Sequence, residues 1–163
     1  MMRLIHYSAK PLLRVYSRRH REAEVDAYKT QGLWVSVEGE YDWPTWCKDS
    51  DFALSRFAHA TEVILADGAV VKHLSSAGEI DDFTDRFSLP SHGPITRGLD
   101  WPAIRKQWQG LIISPYCWER RLSQHTVWYY GWDCASGVIW NARAVKGLRP
   151  LPAPDMTVAE EAA

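Results

Sequence analysis

The pattern of hydrophobic and polar positions predicts two short strands near the start of the chain. Residues 3–8 carry apolar and aromatic side chains and are followed by Pro11, which interrupts regular pairing. In residues 32–37, Trp34 and Ser36 fall on one face because strand side chains alternate with period two. The aliphatic residues between them then face the core. The Trp34 and Ser36 face is left for solvent, for a second packed layer or for a ligand.

The middle of the chain predicts a hairpin and three helices. Two β-branched runs flank Asp67-Gly68 within residues 62–74, and this dipeptide suits a tight turn. An aspartate precedes Trp-Pro at residue 42 and again at residue 100, where it can cap a helix whose first turn tolerates the proline. We expect the first of these helices to reach about residue 60 and the second to reach residue 109. A short helix is also predicted over residues 77–87.

The second half of the chain adds buried strands and a polar end. Residues 111–114 predict a buried strand, and the aromatic, β-branched residues 126–141 predict one or two more. Residues 88–98 hold prolines and glycines and predict a loop, whereas residues 12–30 are compatible with a helix or a loop. From residue 150 the chain is rich in Pro, Ala and acidic residues, which predicts a disordered tail after a single domain of residues 1–149. Interspersed strands and helices favour an α+β fold with a mixed or mostly antiparallel sheet.

Composition narrows the function classes. The chain has 163 residues and a net charge of -1, which excludes a strongly basic nucleic-acid coat protein. It has no apolar run of about 18 residues and no signal-like start, so we expect a cytoplasmic protein without a membrane partner. Its three cysteines are widely spaced and indicate neither a disulfide framework nor a metal site. No phosphate-binding glycine loop, zinc-protease helix or nucleophile elbow occurs. The unusual feature is nine tryptophans.

Two early segments contain candidates for ligand contact. His6-Tyr7-Ser8 ends the first predicted strand, where a histidine can bond a ligand or serve a purely structural hydrogen bond. Trp34 beside Ser36 suits stacking on a planar ligand, and the alternative is burial under a second layer.

Further candidates come later in the chain. Trp43 and Trp46 share a helix face, which is more typical of a core. Asp133 stands among aromatic residues, where a carboxylate is costly unless it is hydrogen-bonded or functional, although a turn aspartate would look the same. Glu119 is flanked by arginines and is more simply part of a solvated ion-pair segment. The basic run Arg18–Arg21 could contact phosphates or form a solvated face.

Taken together, these motifs resemble the ADP-ribosyltransferase superfamily. That family opens with a strand that bears a histidine, often as His-Tyr-Thr, and here the strand reads His6-Tyr7-Ser8. Its second motif is Gly-aliphatic-Tyr followed by a small residue, which is similar to the segment that runs from Gly32 through Trp34 to Ser36.

The resemblance continues toward the end of the chain. In the family a second aromatic residue, in the helix after the second motif, stacks on nicotinamide, and Trp46 lies at a comparable distance. A late strand carries the catalytic acid, usually glutamate. Residues 128–145 resemble this strand but contain no glutamate, and Asp133 is the nearest acid. The Gly-Leu-Trp and Trp-Asp-Cys-Ala-Ser-Gly segments are also similar to those of small phage and prophage proteins, so the resemblance indicates a phage-type member.

The resemblance implies a fold and a mechanism. The fold would have two small mixed or antiparallel sheets that form a cleft, with short flanking helices, and NAD would bind there as a substrate. Asp133 would orient the 2′-hydroxyl of the nicotinamide ribose and stabilise the positive charge that develops as the glycosidic bond breaks. His6 would bond a ribose hydroxyl and share the catalytic role. The residues that the resemblance assigns to NAD binding are His6, Tyr7, Ser8, Gly32, Trp34, Ser36 and Trp46.

The main expectation is therefore an NAD-dependent ADP-ribosyltransferase. Its acceptor would be a macromolecule, either a protein or a nucleic acid, and Arg18–Arg21 could bind it. Two alternatives stay open. One is a non-catalytic binding module that uses the aromatic cleft to grip or inhibit a partner. The other is a different reaction on the same fold, either NAD hydrolysis or RNA 2′-phosphate transfer. If Asp133 is not the catalytic acid, Glu119 is the next candidate.

Overall fold

The structure is a computed structural model, and it describes residues 2–19, 29–39, 41–89 and 98–157. These residues form one seven-stranded mixed sheet and four α-helices, an α+β architecture. The strands are β1 (Leu4–Ser8), β2 (Leu33–Val37), β3 (His59–Leu65), β4 (Val71–Leu74), β5 (Gly110–Ile113), β6 (Ser136–Ile139) and β7 (Val145–Leu151). The helices are α1 (Trp43–Asp49), α2 (Ala77–Phe87), α3 (Trp101–Gln107) and α4 (Trp118–Arg121).

The sheet order is β4-β5-β6-β2-β1-β3-β7, and only the β4–β5 pair is parallel among the described strands. β3 and β4 are consecutive in the chain yet five positions apart in this order, which would be about 24 Å across a flat sheet. The link from Leu65 to Val71 spans at most about 21 Å when fully extended. The sheet therefore curls until its two edges approach.

Hydrogen bonds of the β3–β4 link show how the edges meet. At one end, the Ala66 N–H donates to the carbonyl of Ala144, just before β7. At the other end, Val70 and Gln109, just before β5, exchange two bonds at 2.7 and 2.8 Å. One short segment thus connects the two edges of the sheet.

The centre of the sheet is weakly paired. β1 and β2 have only two residue pairs in register, the second being Ile5 with Ser36. Beyond that point β1 stays paired with β3 as far as Ser8, and β2 stays paired with β6 as far as Leu33. The strands β1 and β2 therefore separate within one otherwise continuous sheet, and this separation positions the site described below.

The predicted helix starts at the two Asp-Trp-Pro segments are confirmed. The Asp42 carboxylate accepts a hydrogen bond from the N–H of Thr45 at 3.0 Å, and Asp100 accepts one from Ala103 at the same distance. Each satisfies an N–H that the first helical turn leaves without an intrahelical partner. The predicted helix over residues 77–87 is also observed, with Ser76 as its cap.

The core lies between the curled sheet and helices α2 and α3. One face of α2 is buried because its apolar residues recur at helical spacing, and it packs Phe83 and Phe87 against Trp108. Trp101, at the start of α3, and Trp128 are completely buried in the same core. Several of the nine tryptophans are thus structural.

Two predictions of local structure are wrong. Residues 62–74 do not form a hairpin, since β3 pairs with β1 and β7 while β4 pairs with β5. The turn at Asp67-Gly68 does form, but the curl of the sheet sends the chain to the opposite edge. Helix α1 ends at Asp49 instead of near residue 60, because left-handed backbone at Asp51 and Ala53 breaks it and β3 begins at His59.

Other predictions are corrected in part. The expected pair of small sheets is a single sheet, because two residue pairs still join β1 to β2. Residues 126–141 supply one strand, β6, in agreement with the predicted one or two strands, but their first part is a 3-10 helix at Val127–Gly131. β7 extends to Leu151 because Pro150 and Leu151 pair with β3, so the folded part passes the predicted boundary at 149. In residues 2–19, 29–39, 41–89 and 98–157, no helix is long and apolar enough to cross a membrane.

Candidate functional site

A cleft of about 280 Å³ opens where β1 and β2 separate. β1 contributes Ile5, His6 and Tyr7 to its lining. β2 contributes the consecutive residues Trp34, Val35 and Ser36, since the edges of the two strands face each other across the gap. The segment before β6 and the start of β6 supply Trp132, Asp133, Cys134 and Ser136, while Lys29, Trp43 and Arg56 complete the lining.

His6 holds the two separating strands together. Its Nδ1 lies 2.8 Å from the carbonyl oxygen of Trp34, so Nδ1 carries the proton and donates. This side-chain bond replaces the backbone ladder that ends one residue earlier, at Ile5. The other ring nitrogen, Nε2, has no partner in the described part of the chain and is left to a ligand.

Aromatic rings form two sides of the cleft. Trp34 meets the buried Trp132 edge to face, with ring centroids 4.9 Å apart. On another side, Trp43 stacks on Trp46 at 5.0 Å and an interplanar angle of 10°. Only Trp43 of this pair lines the cleft, and Trp46 packs behind it. Trp46 therefore does not reach the position that the sequence predicted for it.

The other predicted ligand contacts divide between cleft and scaffold. Tyr7 lines the cleft, and burial raises the pKa of its phenol to about 12, so it is a neutral hydroxyl at ordinary pH. Ser36 lines the cleft but is buried, and its Oγ accepts the N–H of Trp43 at 2.8 Å. Ser8 lies outside the lining and donates to the carbonyl of Lys10.

Gly32 also serves the scaffold and does not line the cleft. A Cβ at this position would lie 2.6 Å from Cγ2 of Val138 and 2.7 Å from the carbonyl oxygen of Ile139. Only glycine therefore allows β2 to lie this close to β6.

Asp133 is held by two cations from distant parts of the chain. Its Oδ1 lies 3.1 Å from Nη2 of Arg121, and its Oδ2 lies 3.6 Å from Nζ of Lys29. The Asp133 side chain is about 20 % exposed. Arg121 is itself fixed, since it also donates to the hydroxyl of Tyr116 at 2.8 Å and to the carbonyl of Trp132. Asp133 is thus a charge-paired acid at the cleft, not a turn aspartate bonded to its own backbone.

Glu119, the alternative acid, is exposed and does not line the cleft. Of the two arginines that follow Glu119, only Arg120 forms the surface ion pair that the sequence predicted, with Asp81 at 2.7 Å. Arg121 instead reaches the cleft acid. In the basic run, Arg18 and Arg19 are exposed and lie outside the cleft lining, and residues 20 and 21 fall outside the described residues.

Arg56 is a functional candidate that the sequence did not suggest. It ends a 3-10 helix, Leu54–Arg56, that follows left-handed backbone at Asp51 and Ala53, with φ values of 46° and 54°. Such a conformation costs about 1–2 kcal/mol for a residue with a Cβ. The turn brings the exposed Arg56 guanidinium to the cleft. It forms no hydrogen bond or ion pair with any described residue. A free guanidinium at a rim is suited to an anionic group.

Three further features bear on the chemistry of the cleft. Burial raises the pKa of the Cys134 thiol to about 12, so this cleft residue is not a thiolate nucleophile at neutral pH. The indole Nε1 of Trp132 is buried without a hydrogen-bond partner among the described residues. Within the described ranges, no group of three or more His, Cys, Asp or Glu side chains could hold a metal ion.

The geometry thus brings His6, Tyr7, Trp34, Ser36 and Asp133 to one cleft and leaves Ser8, Gly32 and Trp46 outside it. Sequence reasoning missed Lys29, Arg56 and Arg121. Only Arg121 had a signal, since it belongs to the arginine pair that follows the candidate acid Glu119. Comparisons with protein-family models, curated proteins and solved structures give no match to this chain.

Proposed function

We propose that this cleft binds NAD and that the chain transfers ADP-ribose from it to an acceptor. The observation that carries the proposal is the convergence of His6, Trp34 and Asp133 at the separation of β1 from β2. These three residues come from three different parts of the sequence. His6 matches the histidine of the ADP-ribosyltransferase motif, Trp34 stands where that family has tyrosine, and Asp133 is the acid nearest to its usual glutamate. An aromatic ring, a free imidazole nitrogen and a carboxylate in one concave site are the groups that a nucleoside with a planar base would need.

The size and charge of the cleft support the same ligand. Small-molecule sites usually measure about 300–1,000 Å³, so a volume of about 280 Å³ suits one ring and its sugar rather than a whole dinucleotide. In this proposal the nicotinamide riboside end enters the cleft against Trp34. The diphosphate then follows the rim, where Arg56 offers a guanidinium that no described residue engages.

The proposed reaction breaks the bond between the nicotinamide nitrogen and C1′ of its ribose. The bonding electrons leave with nicotinamide, which becomes neutral, and the positive charge passes to the sugar. Asp133 would stabilise that charge and bond the 2′-hydroxyl, and His6 would hold the ribose through Nε2. An acceptor oxygen or nitrogen then bonds to C1′ and loses its proton. Preorganised charge stabilisation of this kind is usually the largest catalytic contribution.

The direct experiment follows nicotinamide release and transfer of labelled ADP-ribose into a cell lysate. Asp133→Asn keeps the size of the side chain and removes its charge, and we expect it to lower the rate about 10²–10³-fold. His6→Ala and Trp34→Ala should also lower it. The matched control is Glu119→Gln, which removes an acid of the same charge outside the cleft and should leave the rate unchanged. Full activity of Asp133→Asn would refute the assignment of this acid.

One observation favours a second candidate, a cleft that binds without catalysis. Both oxygens of Asp133 already have cationic partners, so its charge is compensated before any ligand binds. NAD that quenches tryptophan fluorescence, with neither nicotinamide release nor label transfer, would support this binding function instead.

A further inference from the structure

The ammonium of Lys29 lies between two groups of the cleft. It is 5.2 Å from the centroid of the Trp34 ring and 3.6 Å from Oδ2 of Asp133. The ring belongs to β2 and the carboxylate to the segment before β6, so the fold itself builds this pair of groups. An indole face and a carboxylate both attract positive charge, and together they form a cation site.

The two oxygens of Asp133 have separate partners. Arg121 takes Oδ1 and is fixed by Tyr116, whereas Lys29 takes Oδ2. The Lys29 side chain is about 46 % exposed, compared with about 20 % for Arg121. An exposed lysine in an ion pair is weakly held and can leave for water at little cost. Displacing Lys29 would open Oδ2 and the Trp34 face while Oδ1 stays paired.

We infer that Trp34 and Asp133 form a binding site for a flat organic cation of the pyridinium type, and that Lys29 is its internal competitor. A delocalised ring cation stacks on an indole over a larger area than an ammonium does. The inference deepens the proposed function, on which its link to NAD rests, because the oxidised nicotinamide ring is such a cation. The binding step is testable with the ring cation alone.

The test measures binding of 1-methylnicotinamide, a cation, and of nicotinamide, its neutral counterpart, to the full chain by calorimetry. Lys29→Met keeps an unbranched apolar side chain and removes the charge. We expect it to bind the cation about five- to ten-fold more tightly, since one exposed cation–π contact and one exposed ion pair no longer compete. The affinity for neutral nicotinamide should change much less.

The matched control is Lys146→Met. Lys146 is also ion-paired, to Asp67, and its side chain is about 49 % exposed, but it does not line the cleft. This variant should bind both probes as the unmodified chain does. Adding Asp133→Asn to Lys29→Met should abolish the gain for the cation. Lys29→Gln serves as a second variant and should show the same direction.

Three results would overturn the inference: unchanged or weaker cation binding in both Lys29 variants, an equal gain for neutral nicotinamide, or no binding of the cation to any variant. These results are distinguishable from failure of the proposed function. If the cation binds more tightly to Lys29→Met while NAD neither binds nor reacts, the inference stands and the proposed function fails. If NAD reacts but Lys29→Met gains no affinity for the cation, only the inference fails.

Discussion

The aromatic core under α2 and the aromatic cleft between β1 and β2 are built from the same residue type but differ in how their polar atoms are paired. In the core, the indole N–H of Trp128 donates to Thr84 at 2.8 Å, and that of Trp140 donates to the carbonyl of Trp108 at 2.7 Å. At the cleft, the buried N–H of Trp132 has no partner among the described residues. Nε2 of His6 likewise has no partner among the residues that the structure describes.

This difference separates tryptophans that complete a fold from those that border a site. A core reaches its lowest free energy when every buried donor is paired and every volume is filled. A ligand site must leave groups incomplete so that a ligand can complete them. The residue type alone does not tell the two apart, whereas the pairing of the buried N–H distinguishes Trp132 from Trp128 and Trp140.

The test with the largest expected effect replaces one tryptophan in each region by alanine. Trp128→Ala should lower the free energy of unfolding by about 3–5 kcal/mol, because it empties a fully buried volume. Trp34→Ala removes a partly exposed ring whose main packing contact is Trp132, and should cost about 0.5–1.5 kcal/mol. Urea denaturation of both variants measures the difference. Equal losses would mean that the cleft ring is a core residue.

A second test uses alkaline pH and a thiol at the cleft. Burial raises the pKa of Cys134 from 9.0 to about 12. Between these values the unfolded chain releases the proton and the folded chain keeps it, so stability is complete below about pH 9 and falls as pH rises toward 12. At pH 10.5 the loss from this thiol should be about 1–2 kcal/mol.

Cys134→Ala should remove that part of the alkaline loss, while other buried groups such as Tyr7, with its pKa of about 12, keep theirs. Urea midpoints at pH 8 and pH 10.5 for both proteins give the comparison. An identical fall in the two proteins would show that Cys134 is not protected from ionisation in the folded state.

A third test isolates hydrogen bonding from volume. Trp128→Phe and Trp132→Phe remove the same part of a ring from two buried positions. The first loses a bond to Thr84, whereas the second loses an N–H that no described residue accepts. We expect Trp128→Phe to be more destabilising by at least about 1 kcal/mol, measured by urea denaturation. The reverse order would indicate that the Trp132 N–H is paired in solution.

The smallest effect concerns reactivity rather than stability. Cys47 and Cys134 are buried and Cys117 is partly exposed. At pH 8 a thiol reagent should therefore modify about one cysteine quickly in the native chain and the other two only after unfolding. Cys117→Ser should remove the fast reaction. A fast reaction at Cys134 would show that the cleft admits the reagent down to its buried thiol.

Local patterns in the sequence predicted much of the secondary structure. Apolar and aromatic runs bounded by turn-forming residues predicted β1 and β2, period-two alternation predicted the faces of β2, and the Asp-Trp-Pro segments predicted the starts of α1 and α3. Each of these features depends on residues that are close together in the sequence. The candidate residues His6, Trp34 and Asp133 were also identifiable by type. Their roles with NAD stay predictions.

Pairing between strands could not be predicted in the same way. The runs beside Asp67-Gly68 had the pattern of a hairpin, and the turn formed, but the strands found other partners. A strand pattern fixes which face is apolar and does not fix which neighbour covers its edge. That choice depends on how β5 and β6 pack at one edge and β7 at the other, far away in sequence.

The sequence by itself determined the α+β class, the strand faces, the helix caps and the residue types that could carry chemistry, since each depends on short-range geometry. Only the tertiary structure decided that the sheet curls and that it separates between β1 and β2. It also decided that Arg56 and Lys29 line the cleft there and that Arg121 reaches Asp133. The physical reason is distance along the chain. Lys29 and Asp133 are brought to 3.6 Å by the packing of the whole sheet, which no local pattern encodes.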